Sequence, residues 1–128
     1  ALCDSKPLRR EFLMKMGRTG FPKAEMDEAL ARLQRGIDRM AAWLAASGGP
    51  WLMGADLSLA DIAIMPVIVR MDDIRLSGTW HGAPTIGRWL ERIRETPAFS
   101  ATYYHGSLLT EKYPHLKAGA KQPEPVNA

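Results

Sequence analysis

The sequence predicts an all-α fold, a bundle of about five helices around a buried, N-capped central helix. Three observations predict it. Residues 57–69, Leu-Ser-Leu-Ala-Asp-Ile-Ala-Ile-Met-Pro-Val-Ile-Val, combine a helix-start signal with an apolar run. Residues 26–44 carry a sustained helical periodicity. No stretch alternates polar and apolar residues as a half-buried strand does, and there is no internal repeat or Gly-rich phosphate loop.

Residues 8–16 form the first predicted helix. Leu8, Phe12, Leu13 and Met16 fall at i, i+4, i+5 and i+8, and Gly17 and Gly20 end it. Either Asp4 or Ser5 caps it, or it is the tail of a helix that began upstream. Pro22 opens the second helix, where its missing N–H costs nothing. Glu25, Asp27 and Glu28 then meet the positive end of the helix dipole. Met26, Leu30, Leu33, Ile37, Met40 and Leu44 form one seam, and Glu28 and Arg32 an i, i+4 ion pair. The short connection before this helix favours an antiparallel helix pair over a coiled coil. Gly36 inside it costs about 1 kcal/mol relative to Ala, which a close crossing by another helix would explain. Ser47-Gly48-Gly49-Pro50 stops it.

The central helix follows. Ser58 and Asp61 have capping-box spacing, and Leu57 and Ile62 occupy the two positions of a hydrophobic staple. The eight residues after Asp61 are all apolar, which marks a buried helix too short to span a bilayer. Pro66 kinks this helix without ending it, since the apolar run continues to Met71. Ser77–Ala83 is a loop carrying Trp80 and His81. Pro84 starts a helix with Ile86, Trp89, Leu90 and Ile93 inward and Arg88, Glu91, Arg92 and Arg94 outward. Thr96-Pro97 breaks it. Ala98–Tyr104 forms a short helix, and Leu108–Leu116 packs back on the domain.

At 128 residues, with 46% hydrophobic and 24% charged residues, this is one globular domain over residues 1–116. Residues 117–128, with Gly119, Pro123 and Pro125, form a disordered tail. The net charge of +3 comes from residues 1–48, and no basic run with interleaved aromatics speaks for nucleic acid. No segment reads as a membrane span or signal peptide. The single cysteine, Cys3, excludes an internal disulfide and fits a reducing, cytoplasmic setting. The chain has no initiating Met and opens on polar sequence without a helix-entry signal, so residues preceding Ala1 are expected in the natural protein.

Few residues invite a chemical role. Asp72 and Asp73 are adjacent carboxylates, but neighbours on a helix point about 100° apart and do not share a site. Ser58 and Asp61 could pair as nucleophile and base. No His lies near them, and both side chains are used by a cap. His81, His105 and His115 lack metal-ligand spacing, so no metal is expected. Trp43, Trp51, Trp80 and Trp89 are scattered over separate elements and read as packing residues.

Two motifs carry a family resemblance. Trp-Leu-Met-Gly-Ala-Asp-Leu-Ser-Leu-Ala-Asp-Ile, residues 51–62, resembles the start of the core helix in the C-terminal domain of bacterial-type glutathione S-transferases. Pro84, Ile86, Trp89, Arg92, Pro97, Ala98 and Phe99 resemble that family's later pattern, and the likeness covers roughly residues 8–116. The resemblance implies an enzyme in which a thioredoxin-like N-terminal domain binds glutathione and supplies the thiol-activating group. Nothing in this chain resembles that domain, so no catalytic residue is assigned and the chain alone should be inactive. The helical domain of such enzymes supplies a wall of the electrophile pocket and part of a homodimer interface. By position, that wall corresponds here to Phe12, Met16, Tyr103 and Tyr104, although a Leu/Phe/Met stripe at helical spacing also reads as core. The alternative is a non-catalytic interaction module, as in elongation factor gamma subunits and aminoacyl-tRNA synthetases.

Overall fold

The computed structural model describes residues 9–18 and 20–115, the side chains of 16–18 excepted. The expectations for Leu8, Cys3, Leu116 and the tail 117–128 lie outside the described residues. The order is α1 (Arg10–Arg18), α2 (Lys23–Ala46), α3 (Leu59–Asp73), a 3₁₀ turn (Ser77–Trp80), α4 (Pro84–Arg94), α5 (Pro97–Thr102) and α6 (Leu109–Lys112). Among the described residues there is no strand, only an isolated antiparallel bridge between Trp51 and Gly54. The all-α reading holds.

The chain divides into two units, residues 1–35 and 36–128. In the first, α1 runs through Gly17 rather than stopping there. It ends where the Gly20 N–H reaches back to the Lys15 carbonyl at 3.0 Å, with Gly20 at φ +66°, a conformation open to glycine. Phe12 and Phe21 pack with ring centroids 5.4 Å apart, and Lys15 pairs with Glu25. Glu28 and Arg32 form the expected ion pair, and the Pro22 carbonyl accepts the Met26 N–H at 3.1 Å.

The second unit contains the core. Ile37, Met40 and Leu44 of the α2 seam are buried in it. Gly36 has nothing within 4 Å of where a Cβ would stand, so the close helix crossing expected there is absent among the described residues. Beyond α2, Gly49 lies so close to the Gly54 carbonyl that an added Cβ would sit 2.2 Å from its oxygen. Only glycine allows that approach. It fixes the small bridged loop in which Trp51 and Gly54 exchange N–H···O bonds of 3.1 and 3.2 Å.

The packing hub is α4, which lies against α3, the 3₁₀ turn and α5. Ile86 and Trp89 are wholly buried, and Leu90 and Ile93 nearly so, which matches the inward set predicted for the Pro84 helix. Helix α3 runs unbroken through Pro66 to Asp73. It is buried on one face only. Ile68, Val69 and Met71 face the core, while Leu59 is 82% exposed and Ile62 and Val67 are each 50% exposed. A helix apolar all round needs a cover on every side, and this unit supplies one side. The 77–83 segment, read as a loop, forms the 3₁₀ turn, because Trp80 is drawn into the core.

Candidate functional site

Asp61 is a carboxylate with no exposed surface. The bridged loop aims the Leu52 N–H at its Oδ1, 2.9 Å away. Helix α4 aims the Trp89 indole N–H at the same oxygen, 2.8 Å away. Ser58 donates its backbone N–H to Oδ2 at 3.0 Å and its hydroxyl at 2.7 Å. Ser58 and Asp61 thereby form a capping box whose carboxylate also ties α3 to a loop nine residues upstream and to α4. Burial alone would raise the Asp61 pKa. The four donors outweigh it and hold the carboxyl below its ordinary value. Both oxygens are filled by donors from this chain, so the group is built to hold structure and has no lone pair directed at a substrate.

Asp73 does the same at the other end of α3, a role that its place beside Asp72 does not announce. Its Oδ1 accepts the Thr110 hydroxyl at 2.6 Å and the Thr110 N–H at 3.2 Å. Its Oδ2 accepts the Leu109 N–H at 2.8 Å and an Arg70 N–H at 2.6 Å. Burial opposes its ionisation, and these donors together with the Arg70 charge lower its pKa. The available signal was α6 itself. Leu108 offers that helix no capping side chain, so its first N–H groups need an acceptor from elsewhere. Neighbouring Asp72 turns away to pair with Arg94, so the two adjacent carboxylates serve different partners, as their helical positions dictate.

The proposed pocket residues sit as follows. Phe12, in the first unit, is 52% exposed and leans on Phe21. The Met16 side chain lies outside the described residues. In the second unit, Tyr103 is half-buried and stacks on Phe99 with centroids 4.7 Å apart, while Tyr104 is 69% exposed. The staple residues Leu57 and Ile62 both keep substantial exposed surface. An apolar cleft of about 440 Å³ is lined by Trp43, Ala46, Ser47, Leu52, Met53 and Ala60, none of them among the four pocket residues. Among the described residues, no group of three or more His, Cys, Asp or Glu could hold a metal. Nor is any described helix long and apolar enough to cross a membrane.

The sequence model of the family described as "Glutathione S-transferase, C-terminal domain" matches residues 23–92, more than half of the chain. The chain belongs to the glutathione S-transferase C-terminal domain family. The matched stretch holds both Asp61 and Trp89, the two ends of the bond that joins α3 to α4. Among curated proteins, "Glutathione S-transferase omega-like 2" of Schizosaccharomyces pombe is 36% identical over 95 residues. That alignment covers 66% of this chain and 30% of the relative. The chain therefore spans about a third of the length of the relative it matches. No solved structure gives a significant match.

Proposed function

We propose that this glutathione S-transferase C-terminal domain, spanning residues 1–116, forms the helical half of a cytoplasmic enzyme that joins the sulfur of glutathione to apolar electrophiles. In this reading a thioredoxin-like half binds glutathione and activates its thiol. The helical half supplies a wall of the electrophile pocket, from Phe12, Met16, Tyr103 and Tyr104, and part of a homodimer interface. The observation that carries the reading is the open face of α3. Leu59, Ile62 and Val67 are apolar side chains left half or more exposed on a helix whose other face is core. A second folded half covers such a face at a gain of roughly 25 cal/mol per Å² of apolar surface removed from water.

The test uses the whole protein, glutathione and a nitro-activated aryl chloride. Conjugation should saturate in both reactants. Replacing Phe12 or Tyr104 with Ala should raise KM for the aryl chloride several-fold and leave KM for glutathione unchanged. A whole protein that neither consumes glutathione nor binds it would overturn the proposal.

A further inference from the structure

A second cleft, of about 370 Å³, lies between the end of α2 and the outer face of α4. Leu44 and the Gly48-Gly49-Pro50 loop form one side, and Thr85, Arg88 and Arg92 the other. The last three sit at i, i+3 and i+7, so they share one face of α4. Arg88 is exposed and Arg92 half-buried.

The charges in this cleft are unbalanced. Arg94, two residues further on, is paired with both Asp72 and Glu91, and Arg70 is paired with Asp73. Arg32 is paired with Glu28. Among the described residues, Arg88 and Arg92 have no carboxylate partner, and no acidic residue lines the cleft. Glu91, the acid between them in sequence, is committed to Arg94. Like charges at i, i+4 repel, so two guanidinium groups face one hollow at a cost that an anion would remove. The opposite wall is fixed, because Gly49 is seated against the Gly54 backbone.

We infer that this cleft binds the phosphate group of a small phosphorylated molecule. The Arg88 and Arg92 guanidinium groups present planar N–H forks, which match phosphate oxygens two at a time. The Thr85 hydroxyl lies on the same face as a further donor. The organic part of the ligand rests against Leu44 and Pro50. A volume of about 370 Å³ lies within the usual range of small-molecule sites and suits a compact phosphomonoester rather than a polymer. This inference does not depend on glutathione chemistry.

The experiment follows the arginine Nε–Hε signals of the isotopically labelled whole protein by NMR, in low-salt buffer free of phosphate. Inorganic phosphate, pyrophosphate and succinate are titrated separately. Phosphate and pyrophosphate should shift the Arg88 and Arg92 signals saturably, leaving Arg32 and Arg70 in place. Succinate should bind at least tenfold more weakly. Arg88→Lys keeps the charge but loses the fork and should weaken pyrophosphate binding several-fold. The Arg88→Gln/Arg92→Gln variant should lose at least tenfold. The absence of a saturable shift, equal binding of succinate, or undiminished binding by the double variant overturns the inference.

Discussion

Replacing Asp61 probes the joint on which the second unit is built. Asp61→Ala leaves three N–H donors without an acceptor, the buried ones of Leu52 and the Trp89 indole and the half-buried one of Ser58, and the Ser58 hydroxyl also loses its partner. Hydrogen bonds to a charged group contribute about 1.5–3 kcal/mol each, but water and relaxation recover part of the loss when several share one carboxylate. Breaking a buried charged network of this kind costs about 3–5 kcal/mol. Domains are stable by only about 5–15 kcal/mol, so the Ala variant should lose much of its stability. Asp61→Asn keeps one acceptor oxygen for Leu52 and Trp89 but turns an amide NH₂ toward the Ser58 N–H, and should cost about 2–3 kcal/mol. Ser58→Ala removes one hydroxyl bond and should cost about 1 kcal/mol. Urea unfolding followed by circular dichroism at 222 nm reads all three. The predicted order of loss is Ala, then Asn, then Ser58→Ala. A double-mutant cycle between Asp61→Asn and Trp89→Phe should give a coupling of about 1 kcal/mol. An Asp61→Ala variant within about 0.5 kcal/mol of the parent, the range of an ordinary surface change, would mean that the carboxylate does not hold the unit together.

Three further outcomes follow from the same structure. Asp61 and Asp73 both have folded-state pKa values below the ordinary carboxylate value. Their contribution is therefore fully present above the unfolded value, about 4, and is lost as pH falls through the folded values. Urea midpoints should be level from about pH 7 to pH 5 and drop below about pH 4; a midpoint that rises on acidification contradicts this. Gly36→Ala should stabilise the chain by about 1 kcal/mol, because an added Cβ meets nothing and the helix gains propensity; a destabilised variant would mean that something crosses α2 closely there. Arg75 adopts φ +63° just past the end of α3, where its N–H bonds to the Asp72 carbonyl at 3.0 Å and the Leu76 N–H to the Met71 carbonyl at 2.7 Å. That is a Schellman ending with Arg in the place glycine prefers, so Arg75→Gly should raise stability by about 0.5–1 kcal/mol, read as a higher thermal midpoint.

Local rules made much of this fold legible. The α2 seam, the Pro84 start and the inward set Ile86, Trp89, Leu90 and Ile93 depend only on periodicity and proline geometry, and each appears where those rules put it. The Ser58–Asp61 spacing revealed a cap because a cap is a contact between residues three apart. The bonds that reach further were not legible. Nothing in a capping box announces that the same carboxylate also accepts from Leu52 and Trp89. In the sequence Asp73 is one of two adjacent carboxylates on a helix, yet it is buried under residues 36 and 37 positions away. Hydrophobicity all round α3 reports what the helix needs to bury, whereas α4 became the hub because its faces meet three neighbours within this unit. In the proposed reading, the side chains of α3 that stay exposed demand a second folded half to cover them.

That demand is tested most directly by comparing glutathione conjugation by the whole protein and by the 128-residue chain under identical conditions. The whole protein should show saturable turnover and the chain alone none above buffer. Equal turnover by the isolated chain would place the thiol-activating group among these helices and contradict the division of labour proposed here.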